Sequence, residues 1–386
     1  MSFTFATLWH DRRRYLPGVF AVAFSAVLIA LQAGLLIGML STTSVPIDKT
    51  RADFWVGWEG LKSVDLGRPI PESHRSRFAT DAGVTRVEPY LQGFLYWLKP
   101  KGGAELVIVV GCNLENDSLG AVDGLTPELR YRLTEPFTII VDEADLTKLG
   151  LVKPGPDVPV QEGKIFDRTV QLVGTVKGYK SLQGSYVFCS LSTARALLRY
   201  QETQVTYFLG STNGDKAAAK AVVNRLNAQY ADPTPGKIND LTAFTSEDFV
   251  LATRMYWLWR TGAGLALGFA ALLGLLVGAV VTSQTLYAAT AGAIREYAVL
   301  RALGIPRWRM SAAVLTQSFW IGLLGVVAAL PAAFGIARAA SMVGVIVSLK
   351  PELLAGTAII TEGMALAAGL TALRSLRHVE PANLLR

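Results

Sequence analysis

Residues 15–47, 261–294 and 310–337 contain no charged side chain at all. Each stretch exceeds the ~20 residues that a helix needs to cross the hydrocarbon core of a bilayer. A fourth stretch, 353–373, is apolar apart from Glu362. Inside a bilayer every backbone N–H and C=O must be satisfied within the segment itself, which leaves helices as the solution for runs of this length. The chain therefore reads as an integral membrane α-helical protein with four transmembrane helices in a 1+3 arrangement. The 220 residues between the first and second spans, rich in mixed helix and strand patterns, read as an inserted α+β extracytoplasmic domain.

Orientation follows from how the charge is distributed. Residues 41–260 hold 25 Lys/Arg and 25 Asp/Glu, so the formal net charge of +7 lies elsewhere. It falls on 1–16, 285–310 and 374–386, which together carry ten basic and three acidic residues. Short basic segments stay on the cytoplasmic side, and four spans put all three there. The basic excess is thus explained by membrane orientation, and no nucleic-acid partner is implied. The expected plan is a cytoplasmic segment 1–16, a first span 17–40, an extracytoplasmic domain 41–260, a second span 261–284, a cytoplasmic segment 285–310, a third span 311–337, an extracytoplasmic connector 338–352, a fourth span 353–373 and a cytoplasmic tail 374–386. Arg12, Arg13 and Arg14 precede an apolar run about twice the length of a signal-peptide core, so the first span reads as an uncleaved signal-anchor.

Within the outer segment, 52–58, 105–112, 137–142, 169–177, 186–190 and 204–210 read as strands, rich in Val, Ile, Phe and Tyr and bounded by Gly or Pro. Residues 191–200 and 215–230 read as helices. The interleaving suggests two lobes. Residues 246–260 predict a stalk helix, with Thr245 as N-cap and Glu247 and Asp248 in its first turn. It either continues unbroken into the second span as a stiff lever or ends as an ordinary helix. Trp257 and Trp259 stand where an interfacial aromatic belt is expected. Cys112 and Cys189 share this segment, and the sequence leaves open whether they pair.

The residues offer little for catalysis. His10, His74 and His378 lie in three separate regions, and no HExxH, CxxC or GxSxG pattern occurs. The glycine-spaced loop 210–216 lacks the Walker arrangement, so the chain has no phosphate loop with which to hydrolyse ATP. A non-catalytic subunit without a bound cofactor or metal is expected. Glu362 is the ionisable residue well inside a span, a costly placement that marks either function or a polar contact between helices.

The segment between spans two and three is the most informative. Residues 291–303 read as a helix stopped by Gly304 in the left-handed conformation, with Pro306 starting the next helix. Arg295-Glu296-Tyr297-Ala298 and Arg301-Ala302-Leu303-Gly304 resemble the cytoplasmic motif of MacB/FtsX-type (type VII) ABC transporter permeases, commonly Arg-Glu-Ile-Gly followed by Arg/Lys-Ala-Leu-Gly. The tail 377–386, with Glu380-Pro381 and Leu384-Leu385-Arg386, is similar to that family's closing motif. Residues 52–56, 64–70 and 178–184 look most like DevC-type permeases. Tyr297-Ala298 departs from Ile-Gly, and Thr371 stands where a proline is frequent.

This resemblance implies the permease subunit of an exporter that dimerises and binds two copies of a separate ABC ATPase, which uses ATP and Mg. Arg295, Glu296, Arg301, Ala302, Leu303, Gly304 and Pro306 would form the coupling contact. Motion of the ATPase would then pass through the spans to the outer domain, which drives an unidentified substrate by mechanotransmission. HlyD-like adaptors and a TolC-like outer-membrane channel are the further partners implied, and the location implied is the bacterial inner membrane. Two alternatives stand beside it: an FtsX-like permease that regulates a cell-wall hydrolase, and a membrane-anchored sensor without an ATPase.

Overall fold

The computed structural model describes residues 12–100, 102–155, 158–230, 241–292, 299, 306–342 and 344–376. In chain order, α1 (Arg12–Thr43) is followed by α2 (Val45–Lys49), β1 (Phe54–Trp58), β2 (Ile70–Pro71), α3 (Arg75–Ala79), β3 (Arg86–Leu98) and β4 (Ala104–Cys112). Next come α4 (Pro127–Arg132), β5 (Thr138–Asp142), α5 (Leu146–Leu149), β6 (Gln161–Ile165), β7 (Arg168–Val176), β8 (Ser185–Ser190) and α6 (Leu191–Leu198). The chain closes with β9 (Gln204–Val205), β10 (Tyr207–Ser211), α7 (Lys216–Tyr230), β11 (Leu241–Thr245), α8 (Ser246–Arg260), α9 (Gly262–Gly292), α10 (Arg307–Met342) and α11 (Pro351–Leu376). These elements form two compact units, Leu40–Arg260 and Met1–Met39 with Thr261–Arg386.

The unit Leu40–Arg260 is built on a nine-stranded sheet in the order β11-β1-β10-β3-β4-β8-β5-β7-β6. Strand β6 also pairs with the end of β3, through Trp97 opposite Ile165 and Leu98 opposite Lys164. Six strands therefore close on themselves as a ring, and β3 belongs to both the ring and the open antiparallel part. Its residues 86–90 pair with β10 and its residues 91–98 with β4. Helix α7 covers one face of the open part, where Val222, Val223 and Leu226 pack with Phe54, Val56 and Phe208. On the opposite face Trp55 packs edge-on to Tyr90 and Tyr207, with ring centroids 5.3 and 5.4 Å away, and against Phe249 of α8 at 5.6 Å. Helix α6 seals the ring. Gly111 permits this, because a Cβ there would collide with that of Ala194.

Seven of the elements read from sequence recur with edges shifted by a residue or two, and the helix 246–260 recurs with its edges unchanged. The expected strand 204–210 is instead two strands. Thr206 separates them because its hydroxyl accepts from Gln92 N–H (3.0 Å) and donates to Gln92 C=O (3.1 Å), which takes it out of the regular ladder. The long strand β3 escaped the sequence reading: Pro89 and Gly93 are both unfavourable inside strands. The expected N-cap holds, with Asp248 N–H donating to Thr245 Oγ1 at 3.1 Å. The unbroken lever does not. Helix α8 ends at Arg260, and Thr261 begins α9 afresh by accepting from Gly264 N–H through its hydroxyl (3.2 Å) and from Leu265 N–H through its carbonyl (3.3 Å).

In the other unit, Tyr15–Thr43, Gly262–Thr285, Trp308–Met342 and Pro351–Thr371 are long and apolar enough to cross a membrane. The fold is therefore the 1+3 α-helical membrane architecture with an α+β insertion. The helices meet through small residues, as expected where lipid removes any hydrophobic drive for association. Ser25 of α1 donates to Gly278 C=O of α9 and lies 3.1 Å from Thr282 Oγ1. A Cβ on Gly325 of α10 would strike Val22 of α1, and one on Gly369 of α11 would strike Ser318 of α10. Phe269, Leu272, Leu273, Leu276 and Val280 of α9 are left exposed, an apolar surface suited to lipid.

The structure also answers the question of the cysteines. Strands β4 and β8 run parallel with Gly111 opposite Cys189 and Cys112 opposite Ser190. The two cysteines are one position out of register and point to opposite faces, since side chains alternate along a strand. Both are buried and free, and burial pushes the Cys112 thiol up to about 12. Native protein should accordingly resist a thiol-alkylating reagent at neutral pH and take up two equivalents once denatured. A disulfide found on a non-reducing gel would contradict the register.

Candidate functional site

The sequence-derived coupling residues Arg295, Glu296, Arg301, Ala302, Leu303 and Gly304 lie outside the described residues. Pro306 is exposed at the head of α10, where its carbonyl accepts from Arg309 N–H at 3.0 Å. Glu362 sits half-buried on α11 with its carboxylate packed against Gly322 of α10, a position that any side chain at 322 would invade. Its Oε1 is buried with no hydrogen-bond partner among the described residues. The structure thus places Glu362 at a contact between helices, separate from Pro306.

A second constellation lies in the unit Leu40–Arg260, where the chain arrives through α2 and departs through α8. Helix α8 presents Phe249, Thr253 and Trp257 at intervals of four, which puts them on one face. Phe249 fills the aromatic core. The buried Thr253 hydroxyl accepts from Val64 N–H at 3.2 Å. The Val64 carbonyl in turn accepts from Gln92 Nε2 (3.2 Å) and from the Tyr207 hydroxyl (2.7 Å). One turn further on, Trp257 Nε1 donates to Asp65 Oδ2 at 2.9 Å.

Arg254, beside this face, reaches back to the point of arrival. Its Nε donates to Ser44 Oγ at 2.9 Å and its Nη2 to Asp48 Oδ2 at 3.0 Å, while Ser44 Oγ donates to the same Asp48 carboxylate. The Arg254–Asp48 pair is about one-third exposed, so the ion pair itself contributes little, ~0–1 kcal/mol. Its value is geometric: one guanidinium ties the first turn of the unit to its last helix. We call Arg254, Ser44, Asp48, Thr253, Asp65 and Trp257 the stalk latch.

Sequence reasoning placed Trp257 and Trp259 together in an interfacial belt. The structure separates them, since Trp257 is committed to Asp65 while Trp259 is 65% exposed. The four-residue spacing of 249, 253 and 257 was visible in the sequence, but Asp65 and Ser44, some 190 and 210 positions away, carried no signal. Among the described residues no group of three or more His, Cys, Asp or Glu is placed to hold a metal ion.

Comparison with known proteins bears on the membrane unit. Residues 268–381 match the FtsX-like permease C-terminal family. This stretch is similar to the C-terminal domain of FtsX-like permeases. No curated protein sequence matches the chain. Among solved structures, the periplasmic region of MacB from Actinobacillus actinomycetemcomitans shares 12% identity, with a TM-score of 0.34, over 52% of this chain and 92% of that one. The extracellular domain of the noncanonic ABC-type transporter YknZ from Gram-positive bacteria shares 12% at a TM-score of 0.33, over 50% of this chain and 99% of that one. Span two from Gly268 onward, Pro306 and Glu362 all fall within the FtsX-like domain, whereas the stalk latch lies outside it.

The latch has a pH signature. Burial raises the Asp65 carboxyl above the ordinary range, and the hydrogen bonds from Trp257, Gln183 and Ser63 pull it partly back. A carboxyl raised in the folded state binds its proton more readily folded than unfolded. Ionised Asp65 therefore costs stability at neutral pH, and the cost fades as the pH falls through the raised value toward the unfolded one. Trp257→Phe removes a donor from a desolvated carboxylate and should cost ~1–3 kcal/mol at neutral pH. In acid, where Asp65 is protonated, the loss should shrink. Thermal melts of both proteins at the two pH values test this, and an equal loss at both would reduce Trp257 to a packing residue.

Proposed function

We propose that the chain is the permease subunit of an ABC exporter and works as a transmission. A separate ATPase, bound as two copies and using ATP and Mg, acts on residues 295–306 from the cytoplasm. The FtsX-like domain passes the movement through the bilayer, and the outer unit applies it to a substrate outside. The observation that carries this reading is the FtsX-like domain on residues 268–381, whose first cytoplasmic segment contains the Arg295-Glu296 and Arg301-Ala302-Leu303-Gly304 motif. The stalk latch supports it: a domain that receives force through its first and last segments needs the two fastened together, and Arg254 does so.

On this proposal the protein is a homodimer in the bacterial inner membrane with both termini cytoplasmic, and an HlyD-like adaptor and a TolC-like channel complete the route. The chemistry of ATP hydrolysis belongs to the partner, and Glu362 serves helix packing without touching cargo.

Two measurements test the scheme. In a background of Cys112→Ala and Cys189→Ala, an impermeant thiol reagent applied to intact cells should label Glu128→Cys and spare Arg309→Cys. Both positions are exposed in the fold, so labelling of both from outside would abolish the four-span topology, and the reverse pattern would invert it. For the coupling motif, Arg295→Ala with Glu296→Ala should weaken ATPase copurification. Gly304→Val, which puts a β-branched residue at a helix stop read as left-handed, should preserve membrane level and copurification but lose most of the transport-linked ATPase stimulation. If neither variant changes copurification or stimulation, residues 295–304 are an ordinary loop and a sensor function moves ahead.

A further inference from the structure

Helix α10 stops one residue short of a left-handed glycine. Gly344 has φ of +84°, its N–H donates to Ser341 C=O at 3.2 Å, and Val345 N–H donates to Ala340 C=O at 3.0 Å. This is the paired arrangement that satisfies the last carbonyls of a helix and turns the chain. Helix α11 begins with Pro351 at its first position, where a missing N–H costs nothing. Residues 345–350 lie between, without helix or strand, and all but Ser348 and the terminal Lys350 are apolar.

An extended apolar segment at the edge of a bilayer needs partners for its backbone. This one finds them on α1. Ser348 N–H donates to Gly34 C=O at 3.0 Å, a carbonyl within the body of that helix. A Cβ on Gly34 would stand 2.9 Å from Val347 Cγ1 and 3.3 Å from Ser348 O, and a Cβ on Gly38 would run into the Ile346 carbonyl. Both glycines are buried. The stretch Gly34-Leu35-Leu36-Ile37-Gly38 has the glycine spacing that brings membrane helices together in pairs. Here the groove between those glycines is filled by the chain's own connector.

We propose that residues 345–350 are a fixed strap that fastens the α10–α11 hairpin to α1 at Gly34 and Gly38, so that hairpin and α1 move as one body and α1 does not offer this groove to a second copy. In its mechanical consequence, though not in its existence, the strap rests on the transmission reading above.

The test uses the full-length chain in membranes, with Cys112→Ala and Cys189→Ala as background. Gly34→Cys with Val347→Cys places two thiols within the short Cβ separation that a disulfide requires. Mild oxidation should join them within one chain in high yield, seen as a mobility change reversed by reductant. Val347→Cys alone, which leaves Gly34 in place, should give little disulfide between copies. Ser348→Pro removes the donor to Gly34 without adding bulk to α1, and Gly38→Leu displaces the Ile346 carbonyl. Each, added to the cysteine pair, should lower the cross-link yield several-fold while the protein still reaches the membrane. In the cysteine-free chain both should reduce ATPase stimulation several-fold with copurification unchanged, and locking the strap by the disulfide should leave stimulation intact.

Failure of the paired cysteines to join, or strong cross-linking of Val347→Cys between copies, overturns the strap. So does normal stimulation in both Ser348→Pro and Gly38→Leu. The cross-link needs no ATPase. Its failure therefore speaks against the strap alone, whereas absence of ATPase copurification with the unmodified chain speaks against the transmission reading alone.

Discussion

The thirteen residues of β3 hold the outer unit together by hydrogen-bonding to three different strands along their length. The first five residues complete an antiparallel sheet with β10, the next eight pair with β4, and the last two also close the ring through β6. Two lobes that share one strand cannot part without breaking the ladder bonds on it. Both faces are also covered over most of its length, with Tyr96 and Leu98 left exposed toward its end. Tyr90 faces the aromatic cluster around Trp55, while Leu91, Leu95 and Trp97 face the core under α6, and the Trp97 indole is anchored to Leu149 C=O at 3.0 Å. Burial of this kind, worth ~1.5–3 kcal/mol for each large apolar side chain, makes β3 a rigid reference against which α8 is positioned.

The membrane unit obeys a different constraint. Its helices gain nothing from excluding water from one another, so they hold together where backbones approach closely and a few hydroxyls find partners. Ser25 with Thr282, Gly325 with Val22 and Gly369 with Ser318 are such points. Glu362 fits the same logic, since Gly322 supplies the space that its carboxylate occupies.

How much of this could be read in the sequence depended on the range of the interaction. The four spans were legible because some twenty residues with at most one charge are a local, cumulative signal with one physical meaning. The Thr245 cap was legible because it acts over three residues. Strand β3 was not, because Pro89 and Gly93 disfavour strand locally and only the neighbours on either side override them. The stalk latch was half legible: the face of α8 showed in its spacing, but Arg254 meets Ser44 and Trp257 meets Asp65 only once the sheet has brought distant segments together. The break between α8 and α9 at Thr261 went the other way. The sequence left a continuous helix and a helix end both open, and the Thr261 hydroxyl that accepts from Gly264 N–H marks the start of a separate helix.

The peptide at Val64 is gripped from both ends. Its N–H is held by Thr253 of α8, and its carbonyl by Gln92 of β3 and Tyr207 of β10. In mechanical terms this is a fulcrum set under the middle of the sheet and away from its edges. A torque on α8 is therefore divided at once between two central strands, and strand β11, which is contiguous with α8 in the chain, is spared from being peeled off the edge.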